Sequence, residues 1–288
     1  MIHLIQVPYD SGHFDARMGR GPSHLVTHGA AERLRGAGVT VCESVLRVEN
    51  NFPTETAVTF DVLRETASAV REACADGMVP LVLAGNCNTT VGVVGGLQSP
   101  DVGVIWLDAH ADFSTPESSS TGFIDGMGVA MLTGRCWTAA TRTIPGFAPV
   151  PDECVLLVGQ RDFDDDEVER LEASAINMVP WPAIAEYGVE RALVGALDEL
   201  TSRVGQVHLH LDMDVHNPDL APANHFRPPG GLAPQQTIAA VRMVAERFEL
   251  TSASVAAYDP KWDDAGDTLA AALALVDVIG AVIRDRRR

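Results

Sequence analysis

Eight short apolar runs, separated by longer stretches of helical period, constrain this chain more than any other feature. The runs span residues 2–7, 39–45, 79–83, 102–107, 155–158, 176–179, 207–211 and 253–257. Several are apolar at every position rather than alternating, which is the pattern of strands buried on both faces of a parallel sheet. Between them lie segments 22–35, 55–75, 168–173, 190–200, 234–246 and 268–284, where apolar residues recur at helical spacing. The β-α-β alternation predicts a parallel sheet flanked by helices. No internal repeat, low-complexity tract or linker-like shift interrupts the chain, so one domain over residues 1–288 is expected. Ligands of such sheets bind at the carboxyl ends of the strands, so the residues just after each run matter most.

Two of those ends carry unusual chemistry. One run leads into Trp106-Leu-Asp-Ala-His-Ala-Asp112 and another into His210-Leu-Asp-Met-Asp214. Side chains two apart in an extended chain point the same way, which groups Asp108, His110 and Asp112, and likewise Asp212 with Asp214. Four carboxylates and an imidazole at one sheet edge repel one another unless cations neutralise them. Such a donor set suits hard or borderline divalent ions such as Mn2+. Loop acids and helix caps, with His110 a hydrogen-bonded interior residue, would explain a lone DxHxD; a DxD after a second strand weakens that alternative.

Charge and composition exclude other classes. Arg plus Lys number 21 and Asp plus Glu 39, for a net charge of −18. Nucleic acids and anionic membranes need clustered cations, so neither is an expected partner. The arginines at 284, 286, 287 and 288 read as a solvated or interface tail. Lys261 is the only lysine, which rules out a P-loop, and no GxSxG elbow is present. The five cysteines form no CxxC pair, and residues 1–12 lack the features of a signal peptide. A reduced, cytoplasmic setting is the expectation.

Taken with VPYDSG near the N-terminus, LAGNCN at 83–88, DGMGVAML at 125–132, VGQRDFDDDE at 158–167 and PPGGL at 228–232, these motifs resemble the arginase/agmatinase (ureohydrolase) family over nearly the whole chain. The resemblance implies a three-layer α/β/α doubly wound fold with an eight-stranded parallel sheet. It implies two Mn2+ ions and hydrolysis of a guanidino C–N bond by a hydroxide bridging them. Trimers or hexamers are implied as well. By position, Asp108 and Asp212 would bridge the ions, with His110 and Asp214 completing one site and Asp112 and residue 87 the other. Asp112 would also serve as the general acid–base.

The sequence departs from the family at three places. Cys87 stands where the family has a metal histidine. It could bind metal and favour Zn2+ or Fe2+, remain a neutral thiol, touch substrate, or simply pack beneath the strand end. Asp125 aligns with the family's proton-shuttle histidine, and Ala257 with a glutamate that grips the guanidinium. One carboxylate is lost where the cation would sit and another appears at Asp125. Asp125 is therefore expected to share cation binding or proton transfer, with a helix N-cap as the alternative.

The remaining motif residues bear on substrate. Ser114, Ser119 and Thr121 occupy positions resembling those that hold an α-carboxylate in arginases. Asp164 and Glu167 fall where acids hold the α-ammonium, although an acidic run also reads as a solvated helix start. An arginine-like amino acid is the expected small-molecule guanidino substrate. Nω-hydroxyarginine is preferred, because its weaker basicity makes the loss at Ala257 less costly; cysteine also replaces the histidine in the hydroxyarginine-cleaving branch of the family. Agmatine, guanidino acids and peptide arginine remain alternatives, as does a metal-poor regulatory protein without turnover. His208 and His210 read as hydrogen-bonded interior residues rather than ligands, and His216 or His225 as candidates to line the cleft.

Overall fold

The structure, a computed structural model, describes residues 1–50, 53–164 and 166–286. Asp165 of the acidic run, and Arg287 and Arg288 of the basic tail, lie outside the described residues.

All eight apolar runs form strands: β1 (Ile2–Val7), β2 (Val41–Val45), β3 (Val79–Ala84), β4 (Val102–Leu107), β5 (Val155–Val158), β6 (Asn177–Val179), β7 (Gln206–Asp212) and β8 (Glu249–Ala256). They make one sheet of order β2-β1-β3-β8-β7-β4-β5-β6. Every pairing is parallel. The helices are α1 (Gly21–Thr27), α2 (Ala30–Gly36), α3 (Glu55–Ala75), α4 (Thr89–Leu97), α5 (Gly128–Leu132), α6 (Thr138–Thr141), α7 (Glu167–Glu172), α8 (Trp181–Tyr187), α9 (Val189–Thr201), α10 (Pro234–Arg247) and α11 (Asp267–Asp285).

The continuous apolar runs now have a physical reason. Ile105 and Leu107 of β4 pack into one core with α9, α10 and α11. Val104 and Trp106, one residue out of phase, pack into a second core with α3, α4 and α5 on the opposite face. A strand covered by helices on both sides needs apolar residues at every position. The edge strands β2 and β6 are only partly buried, as their mixed sequences require.

The helical expectations change in several places, the short helices α6 and α8 among them. Segment 22–35 is two helices, because Gly29 turns the chain with a φ of 97° after α1. Residues 89–97 form α4, which periodicity does not reveal, since apolar residues and glycines cover its whole circumference. Those glycines are packing residues. A Cβ at Gly92 would lie 2.5 Å from the Leu63 carbonyl oxygen, and one at Gly96 2.5 Å from that of Ala67, both on α3. No described helix is long and apolar enough to cross a membrane.

The order places β3, β8, β7 and β4 side by side, so the segments after them meet at one edge. Helix propensity alone favours alanine over glycine by about 1 kcal/mol. The α3–α4 contact reverses the sign: Gly92→Ala is expected to destabilise the protein by about 1–3 kcal/mol in urea unfolding. A stabilised variant would show that this close approach does not govern the packing.

Candidate active site and metal centre

The strand-end carboxylates are aimed by their own backbone. Asp108 Oδ1 accepts a 2.7 Å hydrogen bond from the His110 amide, and Oδ2 accepts one of 2.9 Å from Trp106 Nε1. Asp212 caps the turn that follows β7, its Oδ1 accepting from the Asp214 amide at 2.6 Å. Asp214 accepts from the Ala109 amide and from Asn224 Nδ2, both at 3.3 Å, which ties the two segments together. His110 Nδ1 lies 3.4 Å from both Asp108 Oδ1 and Asp214 Oδ2. Its Nε2 lies 3.7 Å from Asp162 Oδ2.

Cys87 enters from the loop after β3. Its thiol is buried and donates to Asp212 Oδ2 at 2.8 Å. Ligand atoms of Asp108, His110 and Asp214 lie within 4.8 Å of one another, and so do those of Cys87, Asp108 and His210. Asp108 belongs to both groups, whereas Asp212, the other residue expected to bridge, belongs to neither.

These groups do not fit together as free ions. Burial, then Asp214, pushes the Asp108 carboxyl up to about 6 against the pull of His110. Burial and the neighbouring carboxylates hold Asp112 and Asp212 well above the usual carboxylate range. Burial and four facing acids push the Cys87 thiol up likewise. Burial disfavours the His110 imidazolium, but Asp214, Asp108 and Asp162 outweigh it and raise its pKa. The same ring, with hydrogen bonds from Asp214's neighbours, holds Asp214 well below the usual range against its own burial. Buried acids that resist ionisation beside two facing ligand groups form a donor set suited to divalent cations.

A cavity of about 210 Å3 opens over this centre. Cys87, His110, Asp112, Asp125, Asp212 and Asp214 line it, as do Ser114, Ser119, Thr121, Asp164 and Glu167; Asp108 is not among its lining residues. Asp112 adopts a left-handed φ of 49° and lies outside both close ligand groups. Asp125 is not a helix cap: the turn it begins has Ile124 as its N-cap, and no side chain caps it. Its carboxylate instead accepts from Asn86 Nδ2 at 2.7 Å and the Asn88 amide at 2.8 Å. Burial pushes that carboxyl up to about 8.

Ser114 Oγ donates to Asp164 Oδ2 at 2.8 Å. Glu167 is buried rather than solvated, accepting from the Phe113 amide at 2.8 Å and the Asp164 amide at 3.1 Å. Neither His216 nor His225 lines the cavity. His216 is buried with Nδ1 2.9 Å from the Met213 carbonyl oxygen, and His225 is exposed. His208 behaves as expected, bonded to Ser252 and Ser254. His210 does more, joining Cys87 and Asp108. Trp106, Asp162, Asn224 and Phe226 are not singled out as site residues by the sequence, although Trp106 and Asp162 fall within its motifs; Phe226 meets the His110 ring edge-on at 5.7 Å.

A family model described as Arginase family matches residues 1–280. The arginase of Bacillus caldovelox is 29% identical over 288 residues, covering 96% of each chain. The crystal structure of arginase from Bacillus cereus superposes with a TM-score of 0.87 at 28% identity, covering 98% of this chain and 97% of that one. A hypothetical agmatinase from Burkholderia thailandensis shares the fold, with a TM-score of 0.74 at 19% identity over 99% of this chain and 86% of that one. The chain belongs to the arginase family, metal-dependent hydrolases of guanidino C–N bonds.

The raised Asp125 carboxyl generates a pH test on metal-stripped protein. A carboxyl at about 8 when folded, against its ordinary 3.8, makes the folded state bind more protons than the unfolded state between those values. Its contribution to stability therefore falls as pH rises from about 4 to about 8. Asp125→Asn removes that titration. The stability difference, variant minus wild type, should climb across this window in urea melts; a flat difference would contradict the burial of an ionisable Asp125.

Proposed function

We propose that this protein hydrolyses the guanidino group of an arginine-like amino acid, with Nω-hydroxyarginine the favoured substrate. One observation carries the reading: a single cavity brings together carboxylates, a thiol and a histidine with three hydroxyl side chains and two further acids. Asp108, His110, Asp212 and Asp214, with Cys87 and Asp112 beside them, would hold two divalent ions, Mn2+ among the candidates. When bound, the ions would supply Lewis acidity that brings the pKa of water toward 7.

The chain's own groups do the rest. Ser114, Ser119 and Thr121 offer hydroxyl donors to an α-carboxylate, while Asp164 pairs with the α-ammonium. Glu167 adds negative charge beneath the ammonium and anchors the loop that carries Ser114. Asp112 takes the proton of the attacking water on its carboxylate and returns it to the leaving nitrogen, as a general acid–base must. Asp125 stands at the family's shuttle position and shares proton transfer and cation pairing. Ala257 lines the cavity where the family has a carboxylate, which favours a less basic N-hydroxyguanidine over a guanidinium. Agmatine lacks the carboxylate that these hydroxyls would bind. Five free cysteines accord with a reduced cytoplasmic setting, and the family resemblance with a homo-oligomer.

Arginine, Nω-hydroxyarginine, agmatine and guanidino acids compared under Mn2+ loading test the reading. Nω-hydroxyarginine should give the highest kcat/KM and agmatine no signal; preference for agmatine would contradict it. Asp112→Ala should lower kcat by about 10^2–10^4. Asp164→Ala should act mainly on KM, separating substrate binding from the chemistry.

A further inference from the structure

His210 has a feature that an interior histidine does not need. Its Nδ1 lies 2.8 Å from Ser254 Oγ and 2.9 Å from Thr90 Oγ1. Its Nε2 is fully buried and has no hydrogen-bond partner among the described residues. An orphaned buried nitrogen carries a desolvation penalty unless something binds it. His208, two residues earlier on the same strand, satisfies both ring nitrogens with serines.

The neighbours of His210 fix it in place. Across the sheet it pairs with Trp106 on β4 and Ser254 on β8. The Trp106 ring covers it at a centroid distance of 3.9 Å, while the indole Nε1 holds Asp108. A metal-binding histidine characteristically uses its second nitrogen on a hydrogen-bond partner, which sets the tautomer and the ring plane. Ser254 and Thr90 supply that partner at Nδ1, and in the tautomer that donates from Nδ1 to one of these hydroxyls the Nε2 lone pair is free to bind an ion.

We propose that Cys87, Asp108 and His210 form a thiolate–carboxylate–imidazole site for a borderline divalent cation such as Zn2+ or Co2+. This site is distinct in character from the oxygen-rich group of Asp108, His110 and Asp214. The imidazole absent at position 87 is thus supplied from β7 instead. The inference rests on the metal-dependent reading above and adds a ligand and a metal preference to it. Ligand atoms of a tetrahedral ion with bonds of about 2.0–2.3 Å stand about 3.3–3.8 Å apart, so a group already within 4.8 Å needs only a modest contraction. On binding, Cys87 releases its proton to solvent and its sulfur turns from the Asp212 carboxylate to the ion. Sulfur and imidazole together select against Mn2+, which prefers oxygen.

Metal-stripped full-length protein titrated with Co2+ tests this by absorption. The first equivalent should bring a thiolate-to-cobalt charge-transfer band in the near ultraviolet and tetrahedral d–d bands in the visible. Cys87→Ser should abolish the charge-transfer band, and His210→Ser should shift the d–d bands and weaken Co2+ binding at least tenfold. Should His210→Ser fail to fold, zinc-edge X-ray absorption of the wild type carrying one Zn2+ should show one sulfur at about 2.3 Å. Cobalt bound without the charge-transfer band, spectra unchanged by His210→Ser, or zinc without sulfur would each overturn the proposal. These readouts do not involve turnover, so loss of every guanidino activity with the spectra intact would refute the substrate reading alone.

Discussion

The repulsion among buried carboxylates at the ends of β4 and β7 is the constraint on which the site depends. Asp108, Asp212 and Asp214 are each almost fully buried, and hydrogen bonds within the same two segments aim them at a common space. Desolvation and mutual repulsion hold Asp108 and Asp212 above the usual carboxylate range, while His110 keeps Asp214 ionised. Bound cations would reverse the balance, turning a destabilising cluster into a stabilising one through preferential binding to the folded state. The sheet makes such an arrangement tolerable. Its central strands bury apolar side chains on both faces and secure the backbone from which the acids project.

The cavity combines two kinds of lining: carboxylates, a thiol and a histidine at the ends of β3, β4 and β7, and hydroxyls and acids on the segments after β4 and β5. Cys87, Asp125 and Ala257, the three residues expected to depart from the family pattern, all line the cavity. They are linked in space. Cys87 sits in the loop whose Asn86 and Asn88 hold Asp125, and Ala257 follows the strand that carries Ser254 beneath His210.

Much of this was legible from sequence because two periodicities are strong. Apolar runs, several of them unbroken, disclosed all eight strands of the sheet; period-two spacing grouped Asp108 with His110, which lie together, and also with Asp112, which stands outside both ligand groups. What remained hidden depends on contacts between distant segments. Helix α4 is stabilised by its glycines against α3, so the residues that lower helix propensity are the ones its packing requires. Asn224 lies in a long loop without periodicity, and reaches Asp214 only through the fold. His210 had the right phase to be a ligand, yet spacing alone could not separate it from His208. The distinction lies in a single unpaired nitrogen.

The central claim is that cations hold this carboxylate cluster together. Metal analysis of stripped protein after equilibration with divalent ions tests it most directly. The account predicts about two tightly held ions per chain, falling to about one or fewer in Asp214→Ala. A folded chain that retains no metal under any divalent ion would contradict it.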